Sequence, residues 1–190
     1  MRMSLLRLSS LEIDDEILDI TAGLIARHGP KLTSAQAVAD AAGYSKAAIF
    51  ARFGNKERLV VAAVERCIAL AHSTSSTVAS LAPGAKRDTA ALEALWDVGT
   101  AHPGFIALAL ASLTNLHGTD TQRRLGPVEE TIFAMFDDTV SQDSAREQRV
   151  LAVIGALSAL AVLLLTYPRI TGDEQLARRT AIHAARSALA

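Results

Sequence analysis

Apolar residues recur along this chain at steps of three and four. Ile13, Ile17, Ile20 and Leu24 step by four, three and four, which is one face of a first helix. His28-Gly29-Pro30 ends it, because glycine suits the left-handed position and proline cannot continue the turn. Thr33-x-x-Gln36 reads as a capping box, so a second helix starts at Ser34 and stops at Gly43. Ser45 caps a third over 46–53. Asn55 caps a fourth, which runs through Leu59, Val64 and Ile68 toward Leu81, where Pro83-Gly84 breaks it.

The same signals continue to the C-terminus. Leu92, Leu95 and Val98 mark a fifth helix, and Pro103 suits the first residue of a sixth that carries Phe105, Ile106, Leu108, Leu113 and Leu116. Gly126-Pro127 opens a seventh through Ile132, Met135 and Phe136, with Glu129 and Glu130 in its first turn. Ser144-x-x-Glu147 and Thr171-x-x-Glu174 read as capping boxes for an eighth helix and a ninth that ends near Leu189. There is no sustained period-two run and no Asn-Gly or Asp-Gly turn. The expected fold is all-α with about nine helices: a three-helix N-terminal domain over 1–54 and a helical body over 55–190.

The apolar stretch VLAVIGALSALAVLLL at 150–165 is shorter than the ~18–20 residues a spanning helix needs. It reads as a helix buried on several sides in a core or subunit interface, so no membrane partner is expected. The first residues hold no long apolar run of the kind a signal peptide needs, which favours a cytoplasmic protein. Half the residues are apolar, which excludes a disordered or low-complexity chain. A single cysteine, Cys67, excludes a disulfide framework and any site built on two cysteines. Net charge is −1, which excludes a polycation that coats nucleic acid. Charge is uneven, however: residues 27–66 hold seven basic and three acidic groups, a sum of +4, while 67–190 hold ten and twelve, a sum of −2. A small basic head on a mildly acidic body fits a nucleic-acid surface confined to the head, or merely a solvated mixed face.

The segment TSAQAVADAAGYSKAAIFARF, 33–53, decides between them. Two short helices meet at a tight turn containing Gly43. Ala39 and Ala42 are small enough for close crossing, and Val38, Ile49 and Phe53 are spaced to face inward. This is a helix-turn-helix layout, in which a rigid support projects one helix into a major groove. Residues 13–66 resemble the N-terminal domain of TetR-family transcriptional regulators. The resemblance rests on Gly29, Thr33-Ser34, Val38-Ala39, 41–46 (AAGYSK), Ile49-Phe50, Phe53 and Asn55-Lys56-Glu57-x-Leu59, and it covers about a quarter of the chain.

The resemblance implies a set of DNA contacts. Thr33, by hydroxyl or amide, would meet a phosphate, with Ser34 and Gln36 on the same outer turn. Tyr44, Ser45 and Lys46 would open the recognition helix. Ala47 and Ala48 would face base edges, Arg52 would reach backbone or base, and Lys56 would bind a phosphate at a helix N-terminus. Phe50 stands where the family usually has a phosphate-contacting Tyr, and Ala51 where it often has a polar residue. The recognition helix is therefore unusually apolar, which shifts the weight to phosphate contacts and DNA shape.

The resemblance also implies a homodimer through the eighth and ninth helices on a palindromic operator, and a cavity among the fifth to eighth helices for a small apolar ligand. Trp96, Phe105, Leu108, Leu113, Met135 and Phe136 would line that cavity, with His102, Asn115 and His117 as sparse polar contacts. The function so implied is a ligand-released repressor without cofactor or metal. The rival readings are a helical enzyme and an adaptor that does not bind DNA. No nucleophile elbow, phosphate loop, dinucleotide glycine motif or metalloprotease motif supports an enzyme, and the five histidines are scattered.

Overall fold

A computed structural model describes residues 9–114, 118–136 and 143–190. Those residues form helices only: α1 (Ser10–Leu32), α2 (Ala35–Ala42), α3 (Lys46–Phe53), α4 (Lys56–Ser76), α5 (Ala85–Ala101), α6 (Pro103–Thr114), α7 (Asp120–Met135), α8 (Asp143–Ile170) and α9 (Glu174–Leu189). The all-α expectation holds. Gly29, at φ 75° and ψ 161°, breaks the helical path of α1 where the sequence placed its end, and one further turn follows.

Several boundaries differ from expectation, and α4 ends at Ser76, short of the expected Leu81. Thr33 does not cap the second helix. It closes α1, and Ser34 is the cap, its Oγ accepting from Ala37 N at 3.0 Å. α7 does not open at Gly126-Pro127 but runs straight through them from Asp120, capped by Thr119. Burial of Thr121 and Leu125 holds the extra turns, and Pro127 interrupts only one backbone bond there. α9 is capped by Asp173, two residues after the expected Thr171, with its carboxylate accepting from Leu176 N at 2.9 Å. α8 includes Ser144 in its first turn, but that side chain lies outside the described residues.

Three apolar clusters form the interior. The first joins Ile17 and Leu24 of α1 to Val38, Ala39, Ile49 and Leu59, and it supports the N-terminal head. The second joins Ala22 and Ile25 of α1 to α4, α6 and α7 through Val64, Phe105, Leu108 and Leu125. The third joins α5, α8 and α9 around Trp96. So α1 and α4 each serve both the head and the body.

The α1–α6 crossing is the tightest contact between head and body. A Cβ on Gly104 would stand 1.9 Å from the carbonyl oxygen of Asp19. In return, the Asp19 carboxylate caps α6 from outside its own helix, accepting from Gly104 N at 3.1 Å and Phe105 N at 2.9 Å. These are two of the amide donors that a helix N-terminus leaves free. Burial pushes the Asp19 carboxyl above its ordinary value, against the pull of those two amides.

α8 is long and apolar enough to cross a membrane by length and composition, a wider stretch (Arg146–Ile170) than the apolar run alone indicated. In this fold it packs along α9 and against α5 and α6. Arg149 near its start donates to both oxygens of the buried Asp88 on α5, at 2.8 and 2.7 Å, and approaches Phe136 O at 3.4 Å.

Candidate nucleic-acid interface

The helix-turn-helix is built from local signals that agree with one another. Gly43 takes the left-handed conformation at φ 72°, and Tyr44 N returns to Ala39 O at 2.9 Å, which turns the chain sharply after α2. Ser45 Oγ accepts from Ala48 N at 3.1 Å and starts α3; Asn55 Oδ1 accepts from Arg58 N at 2.8 Å and starts α4. Ile49 is fully buried and fixes α3 on the head core. The opposite face of α3 presents Lys46, Ala47, Phe50 and Ala51, all exposed. That spacing of one, four and five places them on a single helical face. Lys46 Nζ lies 5.4 Å from the centre of the Phe50 ring, so the cation rests over the aromatic face.

The other expected contacts have mixed placements. Ser34 and Gln36 are exposed at the start of α2, with Gln36 Nε2 donating to Asp40 Oδ1 at 2.6 Å. Tyr44 and Ala48 are half-buried, and Ser45 is exposed. Thr33 does not join them. It is buried, and both its hydroxyl (2.9 Å) and its amide (3.2 Å) donate to Gly29 O, so neither group faces outward. Arg52 is exposed but donates to the Asp14 carboxylate and to Ser10 Oγ. Lys56 is half-buried, with Nζ donating to Lys31 O at 2.7 Å.

Charge counting overstated the free positive charge of the head. Asp14 and Asp15 on α1 take Arg52 and Arg66. Arg66, hydrogen-bonded to Asp15 (2.9 Å for Nη2), holds the Asp15 carboxyl below its ordinary range. Residues 1–26 carry two basic and five acidic groups, a sum of −3, and lay outside the window that gave +4. Lys46 keeps its charge free of any ion pair among the described residues.

Residues 17–63 match the family model of bacterial regulatory proteins, tetR family. The match spans α1 from Ile17, the helix-turn-helix and the first two turns of α4. The N-terminal head is thus a tetR-family domain. No curated protein matches the chain. The match supports a DNA-binding transcriptional regulator, and α3 is the second helix of its helix-turn-helix, with one face exposed.

In the regulator's body, a cleft of about 60 Å³ opens among α5, α6, α7 and α8. Leu95, Ile106, Leu110, Ile132 and Leu164 wall it, and Glu129 and Ser158 are its polar residues. The helices are those expected, but of the named residues only Leu113 lines this cleft. Trp96, Met135 and Phe136 are core, with Trp96 against Tyr167 at 5.7 Å between ring centres. The Trp96 Nε1 proton has no hydrogen-bond partner among the described residues. Leu108 is fully buried between α1, α4 and α7. His102 and Phe105 line a second recess of about 30 Å³. His102 Nε2 also lies 3.9 Å from Asp15 Oδ2. Asn115 and His117 lie outside the described residues. Glu129 was missed because a helix opened at Gly126 puts it in a solvated first turn. Among the described residues, no group of three or more His, Cys, Asp or Glu side chains is gathered to hold a metal ion.

Proposed function

We propose that this regulator is a cytoplasmic homodimeric repressor, released from a palindromic operator when a small, largely apolar molecule enters the body. The observation that carries the DNA side is the exposed face of α3, Lys46, Ala47, Phe50 and Ala51, held over a fully buried Ile49. Ser34, Gln36, Tyr44, Ser45 and Ala48 flank that face. Arg52 and Lys56 join it on exchanging their internal acceptors for phosphates.

The dimer reading is supported by a stripe on α8. Leu151, Gly155 and Val162 are exposed at steps of four and seven, which is one helical face, and Leu176 of α9 is exposed as well. A second copy that covers this stripe makes an isologous four-helix contact and sets two heads for half-sites ~34–36 Å apart. The ligand reading is supported by the size of the cleft. Its 60 Å³ is below the ~300 Å³ or more that ligand pockets occupy, so an occupant must part the helices around it. α6 is pinned to α1 by Asp19 and α7 packs on α4, so parting them re-aims the heads. Repression then weakens by the ligand's differential affinity for the two arrangements.

The test is binding to DNA fragments flanking the coding region across a salt series, with wild type and Lys46→Ala. Expected is salt-dependent binding, with the log–log slope reduced by about two in the variant, one for the Lys46 of each protomer. Absence of salt-dependent DNA binding would overturn the proposal, and an unchanged slope would remove Lys46 from the interface. Sedimentation of wild type and Leu151→Glu tests the dimer, which the charge should dissociate.

A further inference from the structure

Glu129 is poorly satisfied where it stands. It stands at mid-helix in α7, half-buried, and lines a cleft whose other walls are almost entirely aliphatic. Among the described residues its only hydrogen bond comes from Ser112 Oγ, 2.9 Å from Oε1. The same hydroxyl lies 2.8 Å from Ala109 O. A serine hydroxyl has one proton, so the two acceptors compete for it. No cation of the protein pairs with Glu129 among the described residues. A carboxylate in apolar surroundings is costly unless paired, and this one is left without an ionic partner.

The neighbours define what would satisfy it. Phe133, one turn along the same face of α7, also lines the cleft. An aromatic ring beside a carboxylate, with aliphatic walls beyond, suits an organic cation attached to an apolar body. Ser158, which lines the cleft from α8, makes no hydrogen bond among the described residues and adds one neutral polar group. An anion would meet Glu129 with no compensating charge. We propose that the cleft takes an amphipathic organic cation, a protonated amine or quaternary ammonium on an apolar chain, with Glu129 as its counter-ion. This rests on the ligand reading above and narrows it: an apolar body alone does not meet the carboxylate.

The probes are three equal-length chains: octylamine, octanol and octanoate, at neutral pH. The readout is fluorescence of Trp96, the single tryptophan, next in sequence to Leu95 of the cleft wall. Wild type should bind octylamine at least about tenfold more tightly than octanol, with octanoate weakest, because a charge-assisted contact is made only by the amine. Glu129→Gln should remove that preference, bringing octylamine and octanol to similar affinity. If wild type binds octanol as well as octylamine, or the variant keeps the preference, the cation inference falls and the cleft remains a ligand site. If none of the three binds, the ligand site itself falls and the inference with it. The wild-type ranking decides the matter even where the variant does not fold.

Discussion

Replacing Gly104 with alanine would probe the crossing that joins head to body. On helix propensity alone the change stabilises by about 0.5–1 kcal/mol. The crossing predicts the opposite. The new Cβ would stand 1.9 Å from Asp19 O and 2.7 Å from Asp19 C, both backbone atoms, whereas ordinary contact begins at 3.4 Å. The two helices must therefore separate by 3.4 − 1.9 = 1.5 Å at this point. That carries the Asp19 carboxylate out of range of Gly104 N and Phe105 N, which it meets at 3.1 and 2.9 Å. Overpacking costs about 1–3 kcal/mol and a buried acceptor left unsatisfied about 1–3 more. After the propensity gain, the net loss is about 3 kcal/mol, and the midpoint should fall by roughly 6–12 °C for a chain of this size. Gly126→Ala is the control, since nothing lies within 4 Å of its Cβ position in α7. It should gain about 0.5–1 kcal/mol. Thermal melts followed by circular dichroism measure both. A Gly104→Ala protein that melts with or above wild type would refute the crossing and the coupling built on it.

Three further outcomes are expected. Burial, with the Asp19 charge nearby, pushes the Cys67 thiol up to about 12, so a thiol reagent should react with it only as the protein opens; rapid labelling at neutral pH would contradict its burial. Arg66 lowers the Asp15 carboxyl below its ordinary 3.8, so the stabilisation is complete above that value and is lost as pH falls through the folded-state value. Melting temperatures of wild type and Asp15→Asn should therefore converge on acidification below about pH 4, and parallel curves would exclude the pairing. Asp88→Ala leaves Arg149 with its charge inside the body and should cost about 3–5 kcal/mol, more than the double change Asp88→Leu with Arg149→Met, as read by urea denaturation; equal losses would mean that the pair matters only as volume.

The recognition helix was legible residue by residue because every signal that sets it is local. Ser45, Gly43 and Asn55 act within four positions of themselves, and α3 falls at 46–53 as read. Where a distant contact decides, sequence reading failed. α7 begins at Asp120 because Thr121 and Leu125 are buried by other helices, and that burial outweighs the stop signal of Gly126-Pro127. Thr33 was assigned by family position, but its hydroxyl turned inward to Gly29. The free charge of Arg52 depended on Asp14, 38 residues away, and no spacing rule links them. Ligand residues were chosen for size and aromaticity, which select the core: Trp96 and Phe136 are the largest fully buried side chains. The cleft is instead walled by mid-sized aliphatic residues that nothing in the sequence sets apart.

The meeting of Asp19 with the start of α6 spans 85 residues of chain. During synthesis on the ribosome, α1 to α3 emerge early, yet Ala22 and Ile25 have no covering until α4, α6 and α7 follow. A nascent head is thus held half-dressed while the body is translated, with an apolar strip of α1 open to chaperones. The helix-turn-helix is made before the body that completes its packing.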